Sequence, residues 1–196
     1  FSVANKGGIG ADPSYHNRGL SRKYIKVLID GMDISDITAP QEEPTFINNI
    51  NLQDLQSIEI LNGSQGTMYG SNAIGGVISF LSNRPTTEGA GGDFYIEAGS
   101  YGTIKVGNTL SYLDKNLSFK LGLNGERSNG FSSLTNDTNS VPLEKDGYHL
   151  LNGKILTNIK LNKKTELNLA LRNNYHENEF DDLYDDPSDT TTTYGR

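Results

Sequence analysis

The chain has 196 residues, of which 34% are hydrophobic, so a single large buried core is not the expected architecture. It carries 17 basic and 24 acidic residues, a formal net charge of -7, and its basic residues form no long block. This argues against nucleic acid as a partner, because phosphate binding needs clustered positive charge. The absence of cysteine excludes disulfides and thiolate metal sites.

The first part of the chain, residues 1–85, predicts a small α+β unit. Short apolar runs rich in β-branched residues predict three strands, at 24–29, 57–61 and 76–81. Turn signals follow the first two, at Asp30-Gly31 and Asn62-Gly63. Residues 51–56 predict a helical turn with Asn51 as its cap. Small and polar residues then predict a flexible linker at 86–92.

From residue 93 to 196 the hydrophobicity alternates with a period of two, which predicts strands with one apolar and one polar face. The alternation is cleanest at 117–126, where leucines and a phenylalanine alternate with polar or small residues. Leu156 is an exception, since it falls on a polar face. We predict five strands in this part, at 94–98, 103–112, 117–126, 151–160 and 167–175.

The connections between these strands alternate in length as well. Residues 114–116 and 162–165 form tight turns, whereas 127–147 and the stretch from Glu177 onward are long and polar. Strands of about 10 residues, joined in this way and apolar on one face, are typical of an outer-membrane barrel. The polar face carries mid-strand cations, which suit a wide lumen that holds water or a plug: Lys105, Lys120, Lys154 and Arg172. A soluble β-sandwich or meander also alternates and is the competing interpretation.

The stretch IEILNGSQGTMYGSNAIGGVISFLSNRP, residues 58–85, resembles the hallmark of the plug domain in TonB-dependent outer-membrane receptors. That hallmark is a strand, a tight turn, a Tyr-Gly pair and an Ala-Ile-Gly-Gly-Val-Ile segment that leads into a second strand. A further family element is an Arg-Gly pair followed by a Leu-Ile-Asp-Gly strand end, here Arg18-Gly19 and residues 28–31. The resemblance covers residues 6–85 by motif and the remainder by pattern only.

The resemblance implies a mainly β fold in which a small α+β plug domain precedes the first antiparallel strands of a transmembrane β-barrel. The plug would occupy residues 1–85, the linker 86–92, and about five strands 93–196, whereas the complete family barrel has about 22 strands. The opening FSVA has the character of mid-protein sequence, so we expect a fragment. One departure is the turn Asn62-Gly63-Ser64, which in relatives usually reads Arg-Gly-Pro.

We expect the resembling motifs to be architectural rather than chemical, because glycines permit sharp turns and close backbone approach. The residues concerned are Arg18, Gly19, Asp30, Gly31, Gly63, Gly66, Tyr69, Gly70, Gly75 and Gly76. Tyr69 and Ile74 are expected in the core of the plug.

The resemblance also implies a function without catalysis. Such receptors bind a scarce nutrient at the outer face of the bacterial outer membrane, and the inner-membrane TonB complex pulls on the plug to admit it. The implied partners are therefore this energy-coupling complex, a nutrient and outer-membrane lipid. The motif spacing is similar to that of cobalamin and catecholate-siderophore receptors. Outward plug loops supply the candidate ligand-binding residues, although such loops can also be merely solvated: Asp12, Ser14, Pro40, Gln41, Glu42 and Phe46.

Acidic residues crowd the stretch from Glu177 to Asp189. Carboxylates at this density can hold Ca²⁺, although the spacing does not match the calcium-loop pattern. The sequence thus offers a possible calcium site in an extracellular loop, and a solvated loop is the alternative. The candidate ligands are Asp181, Asp182, Asp185 and Asp186. No other cofactor is expected.

Enzymatic interpretations find little support in the sequence. His16, His149 and His176 lie far apart, and none has the spacing of a helical metal pair. A nucleophile elbow would need glycine at position 62, where asparagine stands. The competing class is a soluble β-rich surface or periplasmic domain with a binding or structural role, which would not depend on detergent.

Overall fold

A computed structural model describes residues 1–4, 13–35, 47, 50–132, 145–181 and 190–195. The described chain divides into two compact units, one ending at Asn83 and the other beginning at Arg84. In the described part, no helix has the length and apolar character needed to cross a membrane.

The first unit contains two sheets. Strands β1 (Ser2–Ala4), β2 (Ser14–Asn17) and β3 (Leu20–Ser21) form a three-stranded antiparallel sheet in that order. The other sheet has the order β5-β4-β7-β6 and comprises β4 (Ile25–Ile29), β5 (Met32–Asp33), β6 (Leu55–Asn62) and β7 (Gly76–Ser82). The central pair, β4 and β7, is parallel, and both outer pairs are antiparallel. The three strands predicted in this part are confirmed.

Short helical turns connect these strands. The α-helix α1 spans Gly66–Tyr69, and 3₁₀ turns span Arg22–Tyr24 and Leu52–Asp54. Asn51 caps the second 3₁₀ turn, since its side-chain oxygen accepts a hydrogen bond of 3.0 Å from the Gln53 amide. The predicted helical turn and its cap are therefore confirmed.

Buried apolar side chains lie on both faces of the central pair. One cluster joins β2, β4 and β7 through Tyr15, Ile25, Val27, Ile29, Ile78 and Phe80. A smaller cluster on the other face contains Leu28, Ala73 and Val77. Because both faces are covered, β4 and β7 are apolar along most of their length, as is usual for parallel strands.

The two sequence elements that resemble the family, Arg18-Gly19 and Asp30-Gly31, each form a two-residue hairpin turn. Arg18 and Gly19 join β2 to β3 with φ values of 50° and 82°, and Asp30 and Gly31 join β4 to β5 with 49° and 82°. Positive φ at both central residues is the conformation whose twist matches the flanking strands. The turn predicted at Asp30-Gly31 is thus confirmed.

The second unit is one antiparallel meander in chain order. Its strands are β8 (Gly89–Ala98), β9 (Ile104–Leu113), β10 (Leu117–Ser128), β11 (Tyr148–Asn162), β12 (Thr165–Asp181) and β13 (Thr190–Gly195). A 3₁₀ turn, Ser100–Gly102, connects the first two strands. All five strands predicted from the period-two pattern are present.

Two expectations about this unit differ from the structure. Gly89–Gly92, predicted within a flexible linker, form the start of β8 and pair with 110–113 of β9, because strand pairing uses backbone groups that glycine also has. The polar stretch expected after Glu177 is strand as far as Asp181, since residues 176–181 pair with the sixth strand, β13.

Candidate functional site

The glycine-rich motif forms a compact connection between the antiparallel strands β6 and β7. The chain leaves β6 at Asn62, makes the single turn of α1 and enters β7 at Gly76. Gly76 has a φ of 135°, and a Cβ built on it would collide with the carbonyl oxygen of Leu61. The close approach of the two strands at this point therefore requires glycine.

The other glycines of the motif have different reasons for being there. Gly63 and Gly70 have positive φ values, as predicted for sharp turns. Gly75 has no positive φ, but its Cβ would come within 3.0 Å of the Tyr24 carbonyl oxygen. At Gly66 neither reason applies, because φ is ordinary and the nearest atom would lie 3.9 Å away.

A buried asparagine that the sequence analysis did not select anchors this connection. Asn17 is 2% exposed, and its Nδ2 donates a hydrogen bond of 2.7 Å to the Gly75 carbonyl oxygen. The Gly75 amide in turn donates to the Tyr24 carbonyl oxygen at 2.7 Å. Asn17 thus ties the end of β2 to the start of β7. No local pattern marks it, since the two partners are 58 positions apart.

Asp30 links the β4–β5 turn to the far end of β7. Its side-chain Oδ1 accepts a hydrogen bond of 2.8 Å from the Ser82 amide, and its own amide donates to the Phe80 carbonyl oxygen at 2.9 Å. The Asp-Gly pair is therefore more than a turn, because the carboxylate also holds the last residues of the neighbouring strand.

Lys26 on β4 makes polar contacts with both α1 and β5. Its Nζ donates to the Tyr69 carbonyl oxygen at 2.6 Å and forms an ion pair of 3.0 Å with Oδ2 of Asp33. Burial alone would raise the pKa of Asp33, but hydrogen bonds from Ser35 and Lys26 outweigh it and lower this pKa below its usual value. Asp33 is therefore held in its ionised form beside Lys26.

Of the two residues expected in the plug core, Tyr69 lies there and Ile74 does not. Tyr69 packs against the cluster of Leu28, Ala73 and Val77, as predicted. Ile74 is 50% exposed, so its prediction as a core residue is wrong. The turn before β7 places Ala73 inward, with no exposed surface, and leaves the next side chain outside.

One face of the six-stranded sheet is apolar and exposed. The register places Leu123, Gly153 and Asn173 in one row across three strands, and Leu121, Ile155 and Leu171 in the next row. Large side chains on this face are exposed in every strand from β8 to β12: Phe94, Ile96, Val106, Leu110, Tyr112, Leu123, Leu151, Leu167, Leu169 and Leu171. Monomeric soluble proteins rarely expose so extended an apolar surface.

The opposite face is polar. Lys105 Nζ forms an ion pair of 2.8 Å with Oε1 of Glu126, and the Tyr148 hydroxyl donates to the same oxygen. Lys120 and Lys154 are 7% and 8% exposed. In the strand register, Lys154 on β11 lies directly opposite Arg172 on β12. The sheet thus buries two of its lysines and exposes many of its leucines, the reverse of the arrangement in a soluble domain. The prediction of a polar face with mid-strand cations is confirmed.

The candidate ligand residues lie largely outside the described residues. Asp12, Pro40, Gln41, Glu42 and Phe46 belong to segments that the structure does not describe, and Ser14 is a half-buried residue at the start of β2. Of the candidate calcium ligands, Asp181 ends β12, and the rest lie outside the described residues: Asp182, Asp185 and Asp186. Elsewhere in the described chain, no group of acidic and histidine side chains could hold a metal ion. Both sites remain predictions.

Comparison with known proteins identifies the first unit. Residues 1–77 match the family model of the TonB-dependent receptor plug domain. This chain carries a TonB-dependent receptor plug. It is 27% identical over 190 residues to the vitamin B12 transporter BtuB of Photobacterium profundum, with 92% of this chain and 29% of BtuB covered. The chain therefore spans less than a third of that relative's length.

Several solved structures share the fold. The copper transporter OprC matches 91% of this chain and 26% of its own, with a TM-score of 0.69 at 17% identity. The pyoverdine receptor FpvA of Pseudomonas aeruginosa PAO1 matches 91% and 23%, with a TM-score of 0.65 at 17% identity. The siderophore receptor PirA of Acinetobacter baumannii gives 0.64 at 18% identity, with 91% and 27% covered. At such identities the likeness concerns the fold.

The architecture and location of the TonB-dependent receptor follow. A plug domain is followed by antiparallel strands of a transmembrane barrel, whose exposed apolar face meets lipid and whose polar face is turned away from it. The protein lies in the bacterial outer membrane. The competing interpretation as a soluble β-rich domain does not explain a sheet that exposes leucine and buries lysine.

Proposed function

We propose that the full-length receptor binds a scarce nutrient at its outer face and admits it to the periplasm through energy-coupled movement of the plug. Cobalamin or a ferric siderophore is the proposed nutrient. The observation that carries the proposal is the joining, in one chain, of a plug domain and a lipid-facing sheet. A plug joined to a lipid-facing sheet is the arrangement expected of a gated pore.

Two arguments support the choice of nutrient. The spacing of the Arg18-Gly19 and Asp30-Gly31 elements is similar to that of cobalamin and catecholate-siderophore receptors, as the family resemblance implies. The curated relative BtuB is a vitamin B12 transporter, and FpvA and PirA are siderophore receptors. Both ligand classes are too large for an open pore of modest width, so a plug that must move is the expected solution.

The contacts within the plug suggest how it would respond to a pull from the TonB complex. Asn17, Lys26 and Asp30 each make one or two directional contacts that join separate strands. The neutral contact of Asn17 contributes about 0.5–1.5 kcal/mol and those of the charged Lys26 and Asp30 about 1.5–3 kcal/mol, and each can break singly, whereas the apolar clusters resist as a whole. We propose that part of the plug rearranges while the clusters around β4 and β7 stay intact.

The ligand would contact outward plug loops. Our proposed contacts remain Asp12, Ser14, Pro40, Gln41, Glu42 and Phe46, a mixture of rigid, polar and aromatic groups suited to a large solute. Calcium bound by the acidic stretch after β12 would order that loop, because it would offset the repulsion among the carboxylates. If so, millimolar Ca²⁺ protects the loop from proteolysis, and identical cleavage with and without the ion removes the calcium proposal.

Uptake by the full-length receptor tests the function. The receptor is expressed in a bacterium that lacks its own cobalamin and catecholate receptors, and entry of labelled cobalamin and of a ferric catecholate is followed. An otherwise identical strain without a working TonB complex is the control. We expect entry of one solute that depends on the complex. Entry that persists in the control strain would point to passive diffusion and would contradict the proposal.

A further inference from the structure

The tight turns at one end of the barrel sheet carry three exposed lysines. Lys115 lies in the turn between β9 and β10, and Lys163 and Lys164 form the turn between β11 and β12. None of the three forms an ion pair within the described part of the chain. In a chain with a formal net charge of -7, this end of the sheet therefore holds a local cluster of positive charge.

A backbone hydrogen bond holds the two turns side by side. The amide of Lys160, near the end of β11, donates to the Asn116 carbonyl oxygen at 2.8 Å. Lys163 follows three residues later, which is about 10 Å along the strand. Because barrel strands tilt by about 35–45°, this offset is about 8 Å along the membrane normal. The headgroup layer on each side of a bilayer is about 5–8 Å thick, so long, flexible lysine side chains from both turns can reach the same layer.

The one carboxylate within these turns is held by its own turn. Oδ1 of Asp114 accepts hydrogen bonds of 2.7 and 2.8 Å from the amides of Asn116 and Leu117, and its Oδ2 accepts one of 3.2 Å from the Tyr112 hydroxyl. The bonds from the two amides lower the pKa of Asp114. Asp114 therefore keeps its negative charge, and its oxygen atoms are engaged within the turn rather than with the lysines.

Two other carboxylates lie near this end of the sheet but outside the turns. Glu166 on β12 is opposite Lys160 on β11, and both belong to the polar face, so their charges offset each other. Glu88 precedes β8, which borders β9 on the side away from β10. The two turns themselves therefore hold three lysines against the one carboxylate of Asp114.

Exposed apolar side chains stand next to both turns. Tyr112 lies three residues before Lys115 and is 39% exposed, and Leu161 lies two residues before Lys163 and is 61% exposed. Tyrosine favours the level of the lipid headgroups. The short turns of outer-membrane barrels face the periplasm, where the inner leaflet of the membrane consists of glycerophospholipids. The lysines therefore lie at the headgroup level of that leaflet.

We propose that Lys115, Lys163 and Lys164 bind the phosphodiester headgroup of an anionic phospholipid in the inner leaflet of the outer membrane. Lysine binds phosphate as a point charge, without the planar geometry that arginine imposes. Each basic side chain near a membrane surface favours anionic lipid about fivefold, because no amine in the headgroup cancels the phosphate charge. This interaction concerns the membrane and does not depend on the nutrient that the receptor binds.

Lysine acetylation measured residue by residue tests this binding in the full-length receptor. The receptor is placed in phosphatidylcholine vesicles with or without phosphatidylglycerol, treated briefly with acetic anhydride and digested for mass spectrometry. We expect phosphatidylglycerol to slow the acetylation of Lys115, Lys163 and Lys164 about fivefold. Lys105, on the polar face and paired with Glu126, is the internal reference and should not change.

Lys164→Gln and Lys160→Gln distinguish a shared headgroup from a diffuse surface potential. Each variant removes one exposed charge from the end of the same hairpin. Only Lys164 belongs to the cluster, since Lys160 lies opposite Glu166 on the polar face. We expect Lys164→Gln to weaken the protection of Lys115 and Lys163 by up to about fivefold, the share of one lysine. Lys160→Gln, the matched control, leaves their protection unchanged.

Three results would overturn the inference. Equal acetylation rates with and without phosphatidylglycerol would mean that these lysines bind no anionic headgroup. Unchanged protection of Lys115 and Lys163 in Lys164→Gln would mean that each lysine senses only the mean potential of the membrane surface. Equal protection by inorganic phosphate in vesicles of phosphatidylcholine alone would assign the cluster to a soluble anion instead of a lipid.

Discussion

The ring of Tyr95 on β8 lies over Gly107 on β9, in the position that a side chain at residue 107 would occupy. A Cβ built on Gly107 would collide with the tyrosine ring and with the Asn124 side chain. The Tyr95 hydroxyl then donates to Oδ1 of Asn124 on β10 at 3.2 Å. One side chain thus spans three strands of the barrel sheet, and it can do so because the middle strand has a glycine.

We expect Gly107→Ala to displace this ring and to destabilise the barrel by about 1–3 kcal/mol, the usual cost of overpacking. The midpoint of urea unfolding of the full-length receptor in lipid vesicles measures the effect. Gly125→Ala is the control, because a Cβ there has no neighbour closer than 4.0 Å. Equal midpoints for the two variants would show that the ring can move aside without cost.

Asn17→Ala should loosen the plug. The substitution removes the hydrogen bond to Gly75 and leaves that buried carbonyl oxygen unpaired, at a cost of about 1–3 kcal/mol. Amide hydrogen exchange should accelerate at the start of β7 and at Gly75, whose amide donates to the Tyr24 carbonyl oxygen beside this contact. Asn72→Ala, at an exposed position in the same motif, is expected to leave exchange unchanged. Similar exchange in both variants would contradict the anchoring role of Asn17.

Gly76→Ala should be more damaging than Asn17→Ala. Alanine at a φ of 135° is strained, and its Cβ would also push against the Leu61 carbonyl oxygen, so two separate costs of about 1–3 kcal/mol each combine. Limited proteolysis of the full-length receptor reads out whether the plug remains folded. Gly66→Ala in the same motif serves as control, because φ there is ordinary and the space around it is open. If the plug of Gly76→Ala resists the protease as well as that of Gly66→Ala, the predicted need for glycine at position 76 is wrong.

Asp33 predicts a pH dependence of plug stability. Its folded-state pKa is lower than its unfolded value of 3.8, so its ionised form favours the fold above that pH. The contribution is lost as the pH falls from about 3.8 through the lower folded-state pKa. Wild type should therefore be more stable than Asp33→Asn at about pH 6, and the difference should shrink to nothing in strong acid.

Denaturant unfolding of the plug between about pH 3 and pH 7 checks this difference. Glu59→Gln removes one exposed charge from β6 without touching the Lys26 contacts and is the matched control. A difference between wild type and Asp33→Asn that stays constant down to about pH 3 would mean that the carboxylate charge does not contribute.

Much of this fold follows from local signals in the sequence. Strong alternation located the strands around Leu110, Leu121 and Leu169, because a sheet with one face in lipid and one away from it must repeat every two residues. The Asp30-Gly31 turn was predictable from two residues alone, since few other pairs accept positive φ at both positions. These features depend only on neighbours along the chain.

Features that depend on distant partners escaped prediction. Gly89–Gly92 have almost no side chains to alternate, yet they pair with β9 through their backbones. The polar threonine run of β13 shows no period and becomes a strand because it pairs with the end of β12. Asn17 and Ile74 illustrate the same point in the plug. Asn17 is buried and Ile74 is exposed because of contacts with segments that are distant in sequence.

The alternation of the barrel strands also matters before the protein reaches its destination. Most leucines in these strands are followed by an asparagine, serine, glycine or other small or polar residue, so hydropathy averaged over a window of about 19 residues stays moderate. A secretion channel that retains long apolar helices would let such a segment pass. Only when neighbouring strands pair do the separated leucines form one continuous apolar surface. Before its strands pair, the chain thus has the hydropathy of a polar polypeptide, and strand pairing creates the surface that lipid covers.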